Sequence, residues 1–214
     1  MTLFRLDASI FPARSASRAL ADIVESEWQA AHHGDAVVRR DIGADPLPAD
    51  AWPQAVAGSH TPEAERTVAQ REAVTLASRL AAELADADAV LLAVPLYNFG
   101  VSQHVKTWID LVIAAPRDGQ PPLLAGKPVV LVTVRGGAYG AGTPREGWDH
   151  STDYLRRILA DVWGADLTVV EREFTLVGVN PALDEFADLA AQMKDAAHIA
   201  AREAGRTFTA AVPV

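Results

Sequence analysis

The sequence predicts an α/β protein in which a five-stranded parallel sheet carries helices on both faces. Three observations predict it. Strand-like apolar runs and helix-period segments alternate along the chain, β-α five times over. Two of the runs, 88–95 (Asp-Ala-Val-Leu-Leu-Ala-Val-Pro) and 128–134 (Pro-Val-Val-Leu-Val-Thr-Val), are almost continuously apolar, as strands covered on both faces are. Right-handed crossovers leave few topologies for such a chain. The natural one is the flavodoxin-like, doubly wound order. There is no internal repeat and no low-complexity tail, so residues 1–214 read as one domain.

The elements follow in order. Residues 2–6 form a short apolar first strand. Residues 15–31 are helical, with Leu20, Ile23, Val24 and Trp28 at three- and four-residue spacing. Ser15 or Ser17 caps that helix, and Gly34 ends it. His32 and His33 stand where they meet its C-terminal dipole. The second strand is 36–42. Residues 43–62 hold Pro46, Pro48, Pro53 and Pro62 and predict a long loop, a kind that is often functional. Trp52 within it is a candidate pocket wall. A long helix over 63–85 has Pro62 at its first turn. Strand three is 88–95, followed by a helix over 102–114 capped by Ser102. Strand four is 128–134, and a helix over 148–163 is closed by Gly164. Strand five is 167–174, and an alanine-rich helix over 183–208 ends the chain.

Composition narrows the function. The 214 residues are 50% hydrophobic and 22% charged, a globular profile. No cysteine is present, which removes disulfides, thiolate metal sites and cysteine nucleophiles. No zinc-helix motif occurs either, and no metal is expected. The formal charge of −9 argues against a nucleic-acid partner, which needs a basic face. No run approaches the length of a membrane span. Arg5 and Asp7 interrupt any signal-peptide core, so a cytoplasmic location, away from membranes, is expected.

In open α/β sheets ligands bind beyond the carboxyl ends of the strands, at the switch in strand order. Here that places the loops after strands one, three and four together. The first carries Ser9, Ser15 and Ser17 ahead of a helix. Helix N-termini attract phosphate, and Arg14 or Arg18 adds countercharge. Plain serine capping accounts for this loop equally well. The third-strand loop brings Pro95, Leu96, Tyr97, Asn98, Phe99 and Gly100. Apolar faces beside an oriented amide suit a flat heteroaromatic ligand. A tight turn with a left-handed Asn explains the segment as well. The fourth-strand loop, Arg135, Gly136, Gly137, Ala138 and Tyr139, lets backbone N–H groups approach a ligand. Glycine-rich surface loops look the same. Walker, Gly-x-Gly-x-x-Gly and Gly-x-Ser-x-Gly motifs do not occur. Three such loops at one sheet end favour a bound flavin mononucleotide.

These residues also carry a resemblance. Ser9 with Ser15, Ala16 and Ser17, the segment from Pro95 to Phe99, and Arg135 with Gly136 and Gly137 resemble the FMN-dependent NADH:quinone oxidoreductases, or azoreductases, of the flavodoxin-like quinone reductase superfamily. The likeness runs from the first strand to the last helix. It implies that Ser9, Ser15, Ala16 and Ser17 hold the FMN phosphate. It implies that Leu96, Tyr97, Asn98 and Phe99 lie along the flavin, with Arg135, Gly136 and Gly137 at its pyrimidine edge. It further implies a homodimer with each flavin near the interface, and a ping-pong cycle. In that cycle NADH or NADPH reduces FMN, and a quinone or azo compound takes the electrons. No dedicated acid or base is required; Tyr97, Tyr139, His104 and water are the candidate proton sources. The chain departs from the family at 116–126, where a Thr-Phe-Lys/Arg-Tyr wall is missing, and at Val134, where serine is common. These departures leave open a biosynthetic reductase for a polycyclic quinone. A flavodoxin-type electron carrier is the non-enzymatic alternative.

Overall fold

A computed structural model describes residues 1–117 and 119–208. Strands β1 (Thr2–Asp7), β2 (Ala36–Asp41), β3 (Ala89–Pro95), β4 (Pro128–Val134) and β5 (Asp166–Arg172) form one parallel sheet in the order β2-β1-β3-β4-β5. This is the doubly wound order expected from the sequence. The apolar runs lie where both faces are covered: every residue of β3 is buried, and so is β4 after Pro128. The edge strands β2 and β5 are mostly exposed or half-buried and carry charged residues, which also blunts the sheet edges.

The period of two sorts side chains into two cores. Leu3, Leu91 and Val130 pack with Leu20, Val24 and Trp28 of α1 (Ala16–Ala31) and Ala197, Ala201 and Ala204 of α6 (Ala187–Thr207). Phe4, Leu6, Leu92 and Leu131 face α3 (Val68–Ala85) and α4 (Gln103–Ala114) through Leu80, Leu84, Trp108 and Ile109. Small residues set the approach of α1 to α6: a Cβ on Gly205 would lie 2.6 Å from the Val24 carbonyl oxygen.

Five expectations need correction. The 43–62 stretch is not all loop, because α2 (Ala51–Ser59) lies within it. Pro53 is tolerated there in the first turn, where no intrahelical N–H bond is lost. Gly58 lets α2 touch α3; a Cβ on it would be 2.8 Å from Val74 Cγ2. The helix expected from residue 63 is broken. A 3₁₀ turn (Glu63–Glu65) precedes an extended Arg66 and Thr67, and α3 starts at Val68. A capping box fixes that start: Gln70 N–H donates to Thr67 Oγ1 and Thr67 N–H to Gln70 Oε1. The helix expected over 148–163 begins only at α5 (Thr152–Arg156) and widens into a π-helical turn (Arg157–Val162). The last helix is 3₁₀ over Pro181–Phe186 before α6 begins, and β5 stops at Arg172 rather than 174.

The carboxyl end of β1 is anchored by charge. Arg5, on the α1 face of the strand, contacts Asp7, Asp22 and Glu25 at 2.7–3.1 Å. Burial works against its charge, but hydrogen bonds to Asp7, Asp22 and Glu25 outweigh it and raise the guanidinium above its ordinary value. Arg18 of α1 reaches Asp41 at 2.5 Å, and Asp41 accepts the N–H groups of Gly43 and Ala44. The first loop and the start of α1 are therefore held to both neighbouring strands.

Candidate active site

A cavity of about 430 Å³ opens at the carboxyl ends of β1, β3 and β4. Its volume lies within the usual range for small-molecule sites. Ser9, Ser15, Ala16 and Ser17 line it from the first loop and α1, together with Phe11 and Arg14. Pro95, Leu96 and Tyr97 line it from β3, and Val134 and Gly136 from β4.

The first loop is built from hydroxyls. Ser15 is the N-cap of α1, its Oγ accepting the Arg18 N–H at 3.1 Å. Ser17 is buried and lies 3.1 Å, Oγ to Oγ, from Ser15. Among the described residues the N–H groups of Ala16 and Ser17 have no partner, as expected for the first turn of a helix. Ser9 is also buried. Its Oγ accepts the Phe11 N–H and stands 3.3 Å from Tyr97 Oη, which in turn accepts the Ile10 N–H. Tyr97 thus clips the β3 loop to the β1 loop. Gly43 is required beneath them, since a Cβ there would sit 2.1 Å from the Ser9 carbonyl oxygen.

The β3 loop is a two-residue turn between Tyr97 and Gly100, closed by the Gly100 N–H to the Tyr97 carbonyl at 3.0 Å. Asn98 and Phe99 both hold positive φ, 49° and 67°, as a type I′ turn requires. Asn tolerates this region; a phenylalanine there is strained. Phe99 packs edge-on to Trp148 at 5.4 Å and tilted to Tyr139 at 6.3 Å, and its carbonyl accepts the His150 N–H.

The β4 loop is held by Arg135. This buried side chain donates to Asp149 at 2.6 Å, Glu171 at 3.0 Å and Thr152 at 3.1 Å, with Glu173 at 3.7 Å. Burial opposes its charge, but Glu171 and Asp149 together raise its pKa above the ordinary value. Burial also raises Asp149, yet Thr152, Arg135 and Ser151 outweigh that and hold the carboxyl below its usual range. The Arg135 side chain is engaged in this ion-pair network.

The structure divides the expected residues. Ser9, Ser15, Ala16, Ser17, Pro95, Leu96, Tyr97 and Gly136 meet in one cavity. Asn98, Phe99, Arg135, Gly137 and Tyr139 are not among its lining residues; they form the turn, the aromatic cluster and the ion-pair network beside it. Trp52 lies next to Lys106 of α4, its ring centre 5.9 Å from Nζ, and does not line the cavity. His32 stacks on Trp28 and bonds the Trp28 carbonyl at the end of α1. Leu123 and Leu124 of the 116–126 stretch are buried in the core. None of the described residues of that stretch, which leads into the amino end of β4, lines the cavity.

Thr175, Leu176 and Val179, after β5, were missed. They complete the wall because their segment is laced to the β4 loop. Thr175 N–H and Oγ1 both donate to the Arg135 carbonyl at 3.1 Å, and Leu176 N–H donates to that of Gly136. The available signal was position: this loop, too, leaves a carboxyl end of the sheet.

This donor set fits a phosphorylated flavin. Two serine hydroxyls, free helix N–H groups and Arg14 offer an anion subsite on the β1 side. Pro95, Leu96, Val134 and Leu176 offer apolar faces for a flat ring on the other. Among the described residues no cluster of three or more His, Asp or Glu side chains suits a metal ion.

Fold and cavity define a flavodoxin-like protein, and the model of that fold family matches residues 1–199. A relative from Frankia casuarinae named "FMN-dependent NADH:quinone oxidoreductase" is 41% identical over 204 residues, covering 94% of this chain and 96% of that protein. One of the same name from Streptomyces avermitilis is 38% identical, covering 92% of each. The chain belongs to this family of FMN-dependent NADH:quinone oxidoreductases. Among solved structures, an azoreductase from Bacillus anthracis superposes with a TM-score of 0.77 at 22% identity, over 97% of this chain and all of that one. An FMN-dependent NADH-azoreductase from the same species, in complex with FMN, gives 0.64 at 16% identity, over 94% and 99% of the two chains. At these identities the structural likeness speaks for the fold.

Proposed function

We propose that this chain is an FMN-dependent NAD(P)H oxidoreductase that passes two electrons to a quinone or azo acceptor. The observation that carries the reading is the single cavity joining the serine loop and the start of α1 to the β3 and β4 loops, at the point where the strand order switches. Bound there, FMN would supply the redox chemistry of accepting a hydride equivalent and releasing it. The chain's own residues bind and orient. Ser15, Ser17, the N–H groups of Ala16 and Ser17, and Arg14 take the phosphate. Pro95, Leu96 and Tyr97 support the ring, and the Gly136 backbone stands at its polar edge. The Ser9–Tyr97 contact fixes the spacing between these two parts. Tyr97 Oη, hydrogen-bonded to Ile10 and near Ser9, is a cavity hydroxyl that can move a proton.

The protein acts as a homodimer in this reading. Phe11, Leu176 and Val179 at the cavity, with Phe99 and Trp148 beside it, leave large apolar surface exposed around the site. Among the described residues no helix is long and apolar enough to cross a membrane, and we place the enzyme in the cytoplasm, acting as one domain. Steady-state oxidation of NADH and NADPH with p-benzoquinone tests the activity. Sustained, flavin-dependent turnover supports an enzyme. A protein that binds FMN but turns over no quinone with either donor is a carrier, which contradicts the proposal.

A further inference from the structure

A second, more open cavity of about 530 Å³ adjoins the first and shares Arg14, Ser15 and Ala16 with it. It lies between the start of α1, the end of β5 and α6. Four permanent cations line it, Arg14, Arg18, Arg172 and Lys194, with His198 beside them. Its one carboxylate, Asp22, is 2.7 Å from Arg5 and so is already paired. Arg18 is paired with Asp41. Among the described residues Arg14, Arg172 and Lys194 have no ion pair, in a chain whose net charge is −9. Arg172 Nε is a buried donor with no hydrogen-bond partner. Burial alone pulls this guanidinium below its ordinary value, with no carboxylate to offset it. His198 is pulled down as well, by desolvation and by Lys194, Arg172 and Arg202. Uncompensated, partly desolvated cations cost stability until an anion joins them.

We propose that this groove is a second phosphate site, next to the one at Ser15 and Ser17, and that it takes the diphosphate of an adenine nucleotide. This rests on the reading of the first cavity as a flavin phosphate site. Two arginines and a lysine around one opening suit several phosphate oxygens, Arg through its planar fork and Lys as a point charge. Two cofactors carry this chemistry: the adenosine half of the NAD(P)H donor, and the adenylate half of FAD. The shared residues Arg14, Ser15 and Ala16 put the groove beside the proposed phosphate subsite of the first cavity.

The test titrates ADP into FMN-loaded protein by calorimetry, for the natural chain, Lys194→Glu and Arg172→Gln. Lys194 is exposed, so its variant folds even where the half-buried Arg172 variant does not. ADP binding weakened about tenfold or more by Lys194→Glu is expected, the loss of one charged phosphate contact. The sources separate in the same variant. A raised KM for NAD(P)H with unchanged flavin affinity assigns the groove to the donor. Weakened FAD binding with unchanged FMN binding and donor KM assigns it to FAD. Failure of ADP to bind, or binding that Lys194→Glu leaves unchanged, overturns the proposal. A chain that takes up no flavin would contradict the first reading instead, and ADP binding to that flavin-free protein still reports on the groove.

Discussion

Tyr97 concentrates the logic of the site in one side chain. Its hydroxyl accepts the Ile10 N–H and touches Ser9, so it holds the loop after β1 against the loop after β3. Tyr97→Phe removes the acceptor of that exposed N–H, at a cost of about 0.5–1.5 kcal/mol. FMN affinity is expected to fall about tenfold in a fluorescence titration, with the fold retained by circular dichroism. Asp149 shows a different residue-scale effect. Its folded pKa is depressed, so its contribution to stability is present at neutral pH and is lost as pH falls through the ordinary carboxylate range and below. Thermal unfolding followed from pH 7 downward should show this loss, and Asp149→Asn should be less stable at pH 7 with a shallower acid slope. The serines were legible because they precede a helix. The ion-pair network of Arg135 was not, because its partners Asp149, Thr152 and Glu171 come together only through the fold.

Elements that bury a whole face were legible, and elements set by one contact were not. The apolar runs of β3 and β4 and the periodic face of α1 follow from burial alone. By contrast α2 sits among prolines, and its packing depends on Gly58 meeting Val74, a contact that no local pattern reveals. The start of α3 was readable in principle from Thr67 and Gln70; Pro62 gave a stronger, misleading signal, because it opens the 3₁₀ turn Glu63–Glu65 and not α3. Thr67→Ala removes one half of the capping box and should lower stability by about 1 kcal/mol, measured by urea denaturation. Gly43→Ala tests the junction of β2 with the site. Its Cβ meets backbone, which has no rotamer to escape into. The Ser9 loop must shift, and FMN binding should fall far more than in Tyr97→Phe. Unchanged binding would show that Gly43 does not set the loop.

At the scale of the whole molecule, the sheet order puts every contributing loop at one end, with α1 and α6 on one face and α3 and α4 on the other. The cavity is a product of topology, which is why strand periodicity located it. The apolar surface around it predicts a dimer, and light scattering coupled to size exclusion should return twice the chain mass; a monomer at micromolar concentration contradicts that. The most direct measurement of the central claim is an anaerobic absorbance titration of the purified, FMN-loaded protein. The account predicts about one flavin per chain, bands bleached by one equivalent of NADH or NADPH and restored by one equivalent of p-benzoquinone. A chain that neither carries nor takes up FMN, or a bound flavin that neither donor bleaches, would contradict it.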